Sequence, residues 1–565
     1  MNNSSIKKIE QTLIDENRKN HEASSCVECK PDMNIKGGVW IKKKDIGRLE
    51  KIGQPVYMDD ENILLYPLSH NMIVGSTGSG KTSVLYNNCI DFYMRLPRDK
   101  RPSFMVFDLK GDMYTKHSAK LEKLGYKVKV FNSRDSFFSA TYNPLESIFR
   151  DYTEAKEIKK LIDGNKIGRE FGGREYRTKA QATEVASARY NKLMDDVDKY
   201  IEEIAQIFVT CSDPKNLTWA EGARSCLKAI LYTMLYDSEL PNTQMTKECF
   251  TVNNLCNISF HTDNDYTDII EWLERARNIR VVSGALGSCY RIRAQVTRDG
   301  YISTLNSELN KFSSLSVGAL TASSDISFRD IADGNDDYAI FIITDDRRQV
   351  TNNIAIMLLN DLINVLTEKA DNNPTHSLDK DFIIFADEMC NFPALPEMKK
   401  RVSTLRSRKI WLHMAIQSIE QLEELYNEKT ASTILENCDL QFVIGCNNYN
   451  TKEAFVRALG ETVGISKSAN IGSDGLANLS VTTVNVPVVR KSDIDALELG
   501  EFYLRSRTCQ SIKSYMLPYF MRKDSCKDEN FEASRYNGFD PEENVYDIVE
   551  VLEKERKHQF LFKYN

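Results

Sequence analysis

No feature constrains the fold of this chain more than the eight residues Gly75-Ser76-Thr77-Gly78-Ser79-Gly80-Lys81-Thr82. Their spacing is that of the phosphate-cradling P-loop, G-x-x-x-x-G-K-[ST]. The flanks supply the context that the motif needs. Asn71-Met72-Ile73-Val74 reads as a buried strand leading in, and Ser83 to Leu96 as a helix leading out, stopped by Pro97. Gly75, Gly78 and Gly80 let the backbone wrap around an anion, and Ser76, Thr77 and Ser79 complete the cradle. The helix then points its first N–H groups and its positive dipole end at the phosphates. Lys81 is placed to reach the β- and γ-phosphates of a nucleotide, and the Thr82 hydroxyl to bind Mg²⁺.

Strand and helix signals alternate around this motif. Ser103 to Phe107 is an apolar run that ends in the polar turn Asp108-Leu109-Lys110-Gly111-Asp112, and Val128 to Phe131 reads as another strand. In open α/β sheets the ligand lies beyond the strand C-termini, so Asp108 and Lys110 fall where a second functional group is expected. From about residue 150 to 320 strand patterns nearly vanish and helical periodicity takes over, as in Trp219 to Tyr236 with Ala223, Leu227, Ile230, Leu231 and Leu235 in phase. Alternation returns with strands at Tyr338 to Ile343, Phe382 to Ala386, Ile410 to Ile416 and Leu440 to Ile444. Between them, Val350 to Lys369 is an amphipathic helix, Ser418 and Gln421 make a capping box, and Thr451 caps a helix that Gly460 ends.

Such alternation predicts an α/β fold, a mostly parallel sheet covered by helices on both faces, with an all-α domain inserted into it. The expected division is a polar tail over 1–36, a nucleotide-binding domain over 37–149 and 321–520, the all-α insertion over 150–320, and a charged tail over 521–565. Residues 465 to 482, rich in Ser, Gly and Asn, read as a flexible loop, and Val484 to Val489 and Glu501 to Arg505 as edge strands.

Composition limits partners and compartment. A net charge of −7 over 565 residues gives no support to a protein coated in nucleic acid, but leaves room for a local basic lining. Thirteen scattered cysteines suit a reducing compartment better than a disulfide scaffold. Cys26 and Cys29 form one C-x-x-C without the second pair that a structural zinc site requires. No uninterrupted apolar run approaches the ~20 residues of a membrane span. The basic runs Arg291, Arg293 and Arg298, and Arg169, Arg174, Arg177 and Lys179, read first as solvated helix faces and second as phosphate contacts.

The second half of a nucleotide site follows the strand Phe382 to Ala386. Asp387 would hold the Mg²⁺ shell, and Glu388 would polarise the attacking water as a general base. Gln417, at the end of the next strand, suits a sensor of the γ-phosphate. Arg406 and Arg408 lie in Ser403-Thr404-Leu405-Arg406-Ser407-Arg408-Lys409, with no obvious acidic partners. A guanidinium supplied from a neighbouring subunit would act as an arginine finger, and a basic surface turn is the alternative.

Taken together, the chain resembles the coupling ATPases of type IV secretion and conjugation, RecA-like motors that bring DNA to a secretion channel. The residues that carry the resemblance are Gly75 to Thr82, Phe107 to Asp112, Tyr142-Asn143-Pro144-Leu145, Phe385 to Pro393 with its Asp-Glu-x-x-Asn-x-Pro run, Gln417 to Tyr426, and Asn437-Cys438-Asp439. The resemblance spans about residues 60 to 510. It implies a RecA-like P-loop NTPase fold, ATP and Mg²⁺ as substrate and cofactor, and a ring of six, with a monomer in isolation as the alternative. The implied partners are single- or double-stranded DNA held by its phosphates, a relaxase or other secretion substrate, and the channel subunits. It also favours Arg406 over Arg408 as the arginine acting in trans, and places Trp219 in the helical insertion.

Members of this family usually begin with membrane-spanning helices, which this sequence lacks. The expectation is therefore a cytoplasmic, soluble form of the family, recruited to the inner face of the membrane by a partner, with membership of a soluble subgroup as the alternative. Two other functions remain open, a receptor for protein cargo that uses ATP as a switch, and a related DNA pump for segregation or packaging.

Overall fold

Short runs of β-branched and aromatic residues that cannot face water on either side assemble the central sheet. A computed structural model describes residues 26–563 apart from 212, 241–243, 262–263, 345–348, 472–476 and 526–535. The sheet has ten strands in the order Val27–Glu28, Ile512–Tyr515, Glu501–Ser506, Leu440–Val443, Asn71–Val74, Ile410–Ile416, Phe382–Ala386, Ser103–Phe107, Tyr338–Ile343 and Lys127–Asn132. Its middle five, from Leu440–Val443 to Ser103–Phe107, are mutually parallel. Every residue of Asn71–Val74, Ser103–Phe107, Phe382–Ala386 and Ile410–Ile416 is buried, the signature of a sheet covered on both faces. Phe385 anchors the core, with the rings of Tyr86, Phe104 and His413 packed edge-on at 5.5, 6.0 and 5.2 Å.

Several elements depart from the sequence expectations. Residues 465–471 and 477–482, expected as parts of a loop, belong to a two-stranded antiparallel hairpin, Glu461–Ile471 with Ala477–Pro487, and 472–476 of that loop lie outside the described residues. Its polar composition hides a period-two pattern of Val463, Ile465, Ala469 and Ile471 that suits a strand. Glu501–Ser506 lies inside the sheet, paired antiparallel with both Leu440–Val443 and Ile512–Tyr515. The helix Tyr449–Leu459 is capped by Asn448, whose side chain accepts from the Thr451 N–H, and ends at Gly460. One helix, Gln349–Asn372, contains a stretch long and apolar enough to cross a membrane, but 78% of that stretch is buried inside the fold and it serves as a core helix.

The chain forms two compact units. The first comprises residues up to Val128, Arg329–Phe341 and Leu366–Phe531, and the second Lys129–Phe328, Ile342–Val365 and Glu532–Asn565. The second unit is built mainly of helices, among them Glu146–Asp163, Lys179–Phe208, Leu217–Asp237 and Gln295–Asn310. Trp219 stands edge-on to Tyr301 at 5.6 Å, where Leu217–Asp237 crosses Gln295–Asn310. Three of the seven basic residues singled out above are paired with carboxylates, Arg169 with Glu175, Arg291 with Glu274, and Arg298 with Asp265 and Asp299.

Residues 521–565 do not form one element. Tyr546 is buried in the second unit, where its hydroxyl donates to Asp237, which also accepts from Trp272 and pairs with Arg275. Arg522 is a fully buried cation of the first unit. It donates to Asn88 at 2.6 Å, and pairs with Asp91 at 2.6 Å and Asp524 at 3.1 Å. Burial alone would push the Asp91 carboxyl up, but Arg522, Arg95 and Lys120 around it hold it below the usual carboxylate range.

A depressed native pKa means that this cluster stabilises the fold at neutral pH and loses that contribution as acid protonates Asp91, below the ordinary carboxylate range. Arg522→Met leaves Asp91 buried without its closest cation, and is expected to cost about 3–5 kcal/mol at pH 7. Urea unfolding of the variant checks this; a loss under about 1 kcal/mol contradicts it.

Candidate functional site

The five parallel strands end together, and their register decides which side chains meet. Val74 is level with Ile416 and Val443, and Ala386 with Phe107 and Met414. Gly75 therefore follows one strand end, Gln417 the next, Asp387 the one beyond, and Asp108 stands beside Asp387. The strand ending in Gln417 lies between the P-loop strand and the strand ending in Asp387.

The loop itself is tightly wound. A Cβ on Gly75 would lie 2.5 Å from the Ser79 hydroxyl and 2.7 Å from Ile444, so no larger residue fits there. Gly80 has φ +96°, in the left-handed region that glycine occupies without strain. The Ser76 N–H donates to the Gly445 carbonyl at 2.8 Å, and its hydroxyl accepts from Asn447 at 3.0 Å, which ties the loop to the segment after Leu440–Val443. Lys81–Tyr86 is wound as a π-helix, and Asn87–Met94 continues as an α-helix. Local π-winding is uncommon and recurs at functional sites.

Across the P-loop from this segment, the Thr82 hydroxyl donates to an Asp387 carboxylate oxygen at 2.8 Å. The other Asp387 oxygen is buried without a hydrogen-bond partner, as is the Ser79 hydroxyl. Lys81 is 5% exposed and its ammonium donates to the Gly75 carbonyl at 2.6 Å. Burial lowers the Lys81 pKa, against the opposing pull of Asp387 and Glu388. Burial likewise raises Asp387, against the Thr82 hydrogen bond and the Lys81 charge. Asp108 is pushed up to about 6, chiefly by burial, although it accepts from the Gly111 and Tyr114 N–H groups at 3.1 and 2.8 Å. Charged groups gathered at strand ends with displaced pKa values are the physical mark of a reaction site.

Glu388 has φ +54°, a conformation that costs a non-glycine residue about 1 kcal/mol or more. Its carboxylate accepts from the Asn391 side-chain amide at 2.8 Å. Asn391, within the Asp-Glu-x-x-Asn-x-Pro run, has no role that the sequence alone reveals; the geometry makes it the residue that orients Glu388. Gln417 is half-buried beyond Ile416, and its carbonyl accepts from the Cys446 thiol at 3.8 Å.

Arg406 is not brought to this cluster. It precedes the strand Ile410–Ile416, whose far end carries Gln417, and seven strand residues at ~3.3 Å each put it about 20 Å from the P-loop of its own chain. Arg406 is exposed and its guanidinium makes no hydrogen bond or ion pair among the described residues, whereas Arg408 is held by Asp371 and the Thr404 carbonyl. Cys26 and Cys29 are free thiols, and among the described residues no group of three or more His, Cys, Asp or Glu side chains could hold a metal ion.

The conjugative coupling protein TrwBdeltaN70, in an unbound form, is 15% identical with a TM-score of 0.54, covering 91% of this chain and 99% of its own. TrwB in complex with the non-hydrolysable ATP analogue ADPNP gives 15% identity and a TM-score of 0.54, over 87% of this chain and 96% of that one. TrwB in complex with ADP and Mg²⁺ gives 15% and 0.53, over 90% and 98%. At this identity the likeness establishes the fold, RecA-like and α/β. No curated protein sequence matches the chain. The family model for conjugative DNA transfer by the type IV secretory system matches residues 3–525. The chain therefore belongs to the type IV secretory system conjugative DNA transfer family.

Proposed function

We propose that this chain is an ATP-hydrolysing motor that couples DNA to a type IV secretion channel. The observation that carries this reading is the Thr82–Asp387 hydrogen bond, which joins the P-loop to the acidic strand end within one partly buried cluster. Buried, unpartnered oxygens on Asp387 and Ser79 fit a site built for a hydrated cation and a phosphate group. Thr82 and Asp387 would hold Mg²⁺, which when bound neutralises phosphate charge and orients the β- and γ-oxygens.

The chain's own groups account for the remaining chemistry. Gly78, Gly80 and Lys81 present backbone N–H groups to the phosphates, and the Lys81 ammonium exchanges its loop carbonyls for phosphate oxygens. Glu388, oriented by Asn391, accepts a proton from the attacking water. Gln417, between the two halves of the site, follows the state of the γ-phosphate. Arg406 serves the site of a neighbouring copy, because its own is at the opposite end of its strand. A ring that repeats this contact head-to-tail closes by rotation, and a ring of six is the assembly proposed. DNA would be gripped mainly through its phosphates, and secretion substrates and channel subunits would be the protein partners. The proposed location is the cytoplasmic face of the membrane.

Lys81→Ala is expected to lower ATP turnover by at least about 100-fold while leaving the thermal midpoint within a few degrees, since it removes phosphate contacts and no core. Phosphate release and thermal melting check this together; turnover near wild type contradicts the site. Arg406→Ala is expected to lose turnover by about 1,000-fold yet still bind nucleotide. Mixing it with Lys81→Ala recovers activity, because each protomer supplies what its neighbour lacks. Absence of rescue in mixed assemblies contradicts a shared site.

A further inference from the structure

The P-loop cluster fixes where the phosphates of a nucleotide lie and leaves the nucleoside end to be placed. The γ-phosphate end faces Asp387 and Glu388, on the side of the P-loop strand occupied by Ile410–Ile416 and Phe382–Ala386. The base must then leave on the other side, toward Leu440–Val443, Glu501–Ser506 and Ile512–Tyr515. Because Glu501–Ser506 runs antiparallel to Leu440–Val443, its first residue is at the P-loop end of the sheet, and so is Tyr515, which pairs with Glu501.

Three large apolar side chains are exposed on the two segments that flank Glu501 and Tyr515 in sequence, Leu499 at 47%, Phe520 at 59% and Met521 at 55%. Leu499 belongs to the turn before Glu501–Ser506, and its Cδ1 lies 3.2 Å from where a Cβ on Gly80 would be, against the P-loop itself. Phe520 and Met521 belong to the 3-10 turn Tyr519–Met521, which lies against the π-helix Lys81–Tyr86. The two segments are joined, since the Met516 N–H donates to the Gly500 carbonyl at 2.9 Å. The second is also pinned to the P-loop helix, where the Asn88 amide donates to both the Val84 and the Leu517 carbonyls at 2.8 and 2.9 Å. Buried Tyr519 and Arg522, either side of Phe520 and Met521, hold the turn in place while leaving those two side chains in solvent.

We propose that Leu499, Phe520 and Met521 form the surface that receives the nucleobase. The inference rests on the reading of the P-loop as a nucleotide site. A purine is a flat, weakly hydrated ring, and an aromatic face with flanking aliphatic groups takes it by stacking and apolar burial. No other bound group is needed to explain why three apolar side chains stay exposed beside a phosphate cradle on pinned backbone.

The test compares ATP with inorganic tripolyphosphate, each with Mg²⁺, by calorimetric titration of the full-length chain. In Phe520→Ser with Leu499→Ser, ATP is expected to bind about ten-fold more weakly or worse, while tripolyphosphate binds as in wild type. The conservative pair Phe520→Tyr with Leu499→Met keeps wild-type ATP affinity. An unchanged ATP affinity in the serine variant overturns the proposal and leaves these residues for a contact between copies. Equal weakening of ATP and tripolyphosphate also overturns it, because the loss then lies in the cradle. If the wild-type chain binds neither compound, the P-loop reading itself has failed and the base surface fails with it.

Discussion

The structure depends on one hydrogen bond between residues far apart in the chain, Thr82 to Asp387 at 2.8 Å. It closes the gap between the first turn after the P-loop and the end of a strand that is not a direct neighbour of the P-loop strand. Such a contact forms only if Ile410–Ile416 slots between the two with the observed register, Val74 level with Ile416 and Ala386 with Met414. A slip of one residue would turn every side chain of a strand to the other face, and Asp387 with it. Full burial of these strands makes that slip costly, so the core that stabilises the fold also aims the site.

Charge balance follows from the same packing. Lys81 and Asp108 are buried and Asp387 is half-buried, and each is pushed toward its neutral form by loss of water. The attraction between Lys81 and Asp387 offsets part of that cost, and the unpartnered oxygens of Asp387 and Ser79 leave part of it standing. A site with unmet polar groups is preorganised for a charged occupant, since phosphate and cation complete contacts that the chain alone does not. The left-handed backbone of Glu388 adds local strain at the position where the reaction requires a directed carboxylate.

Much of this was legible in the sequence, for physical reasons. A phosphate cradle needs particular residues at fixed spacing, so Gly75 to Thr82 announces itself. Strands buried on both faces must be continuous apolar runs, so Phe382–Ala386 and Ile410–Ile416 are visible as such. Less visible were elements whose pattern is alternating and polar, as in the hairpin Glu461–Ile471 with Ala477–Pro487. Two-residue Val27–Glu28, added at the sheet edge by pairing with Ile512 and Lys513, carries no local signal at all. Roles that arise from contacts between distant segments were hidden too. The Asn391 hold on Glu388 becomes evident only in space, and so does the placement of Arg406 away from its own P-loop. The stretch 521–565 looked uniformly charged because the sequence does not show that Arg522 is swallowed by Asp91, Asn88 and Asp524.

The central claim is that this site converts ATP turnover into work on DNA. Steady-state ATP hydrolysis by the purified chain, measured with and without single- and double-stranded DNA across a salt series, tests it most directly. The account predicts strong stimulation by DNA that fades steeply as salt rises, because the grip is on phosphates. Turnover indifferent to DNA at every salt concentration would contradict it.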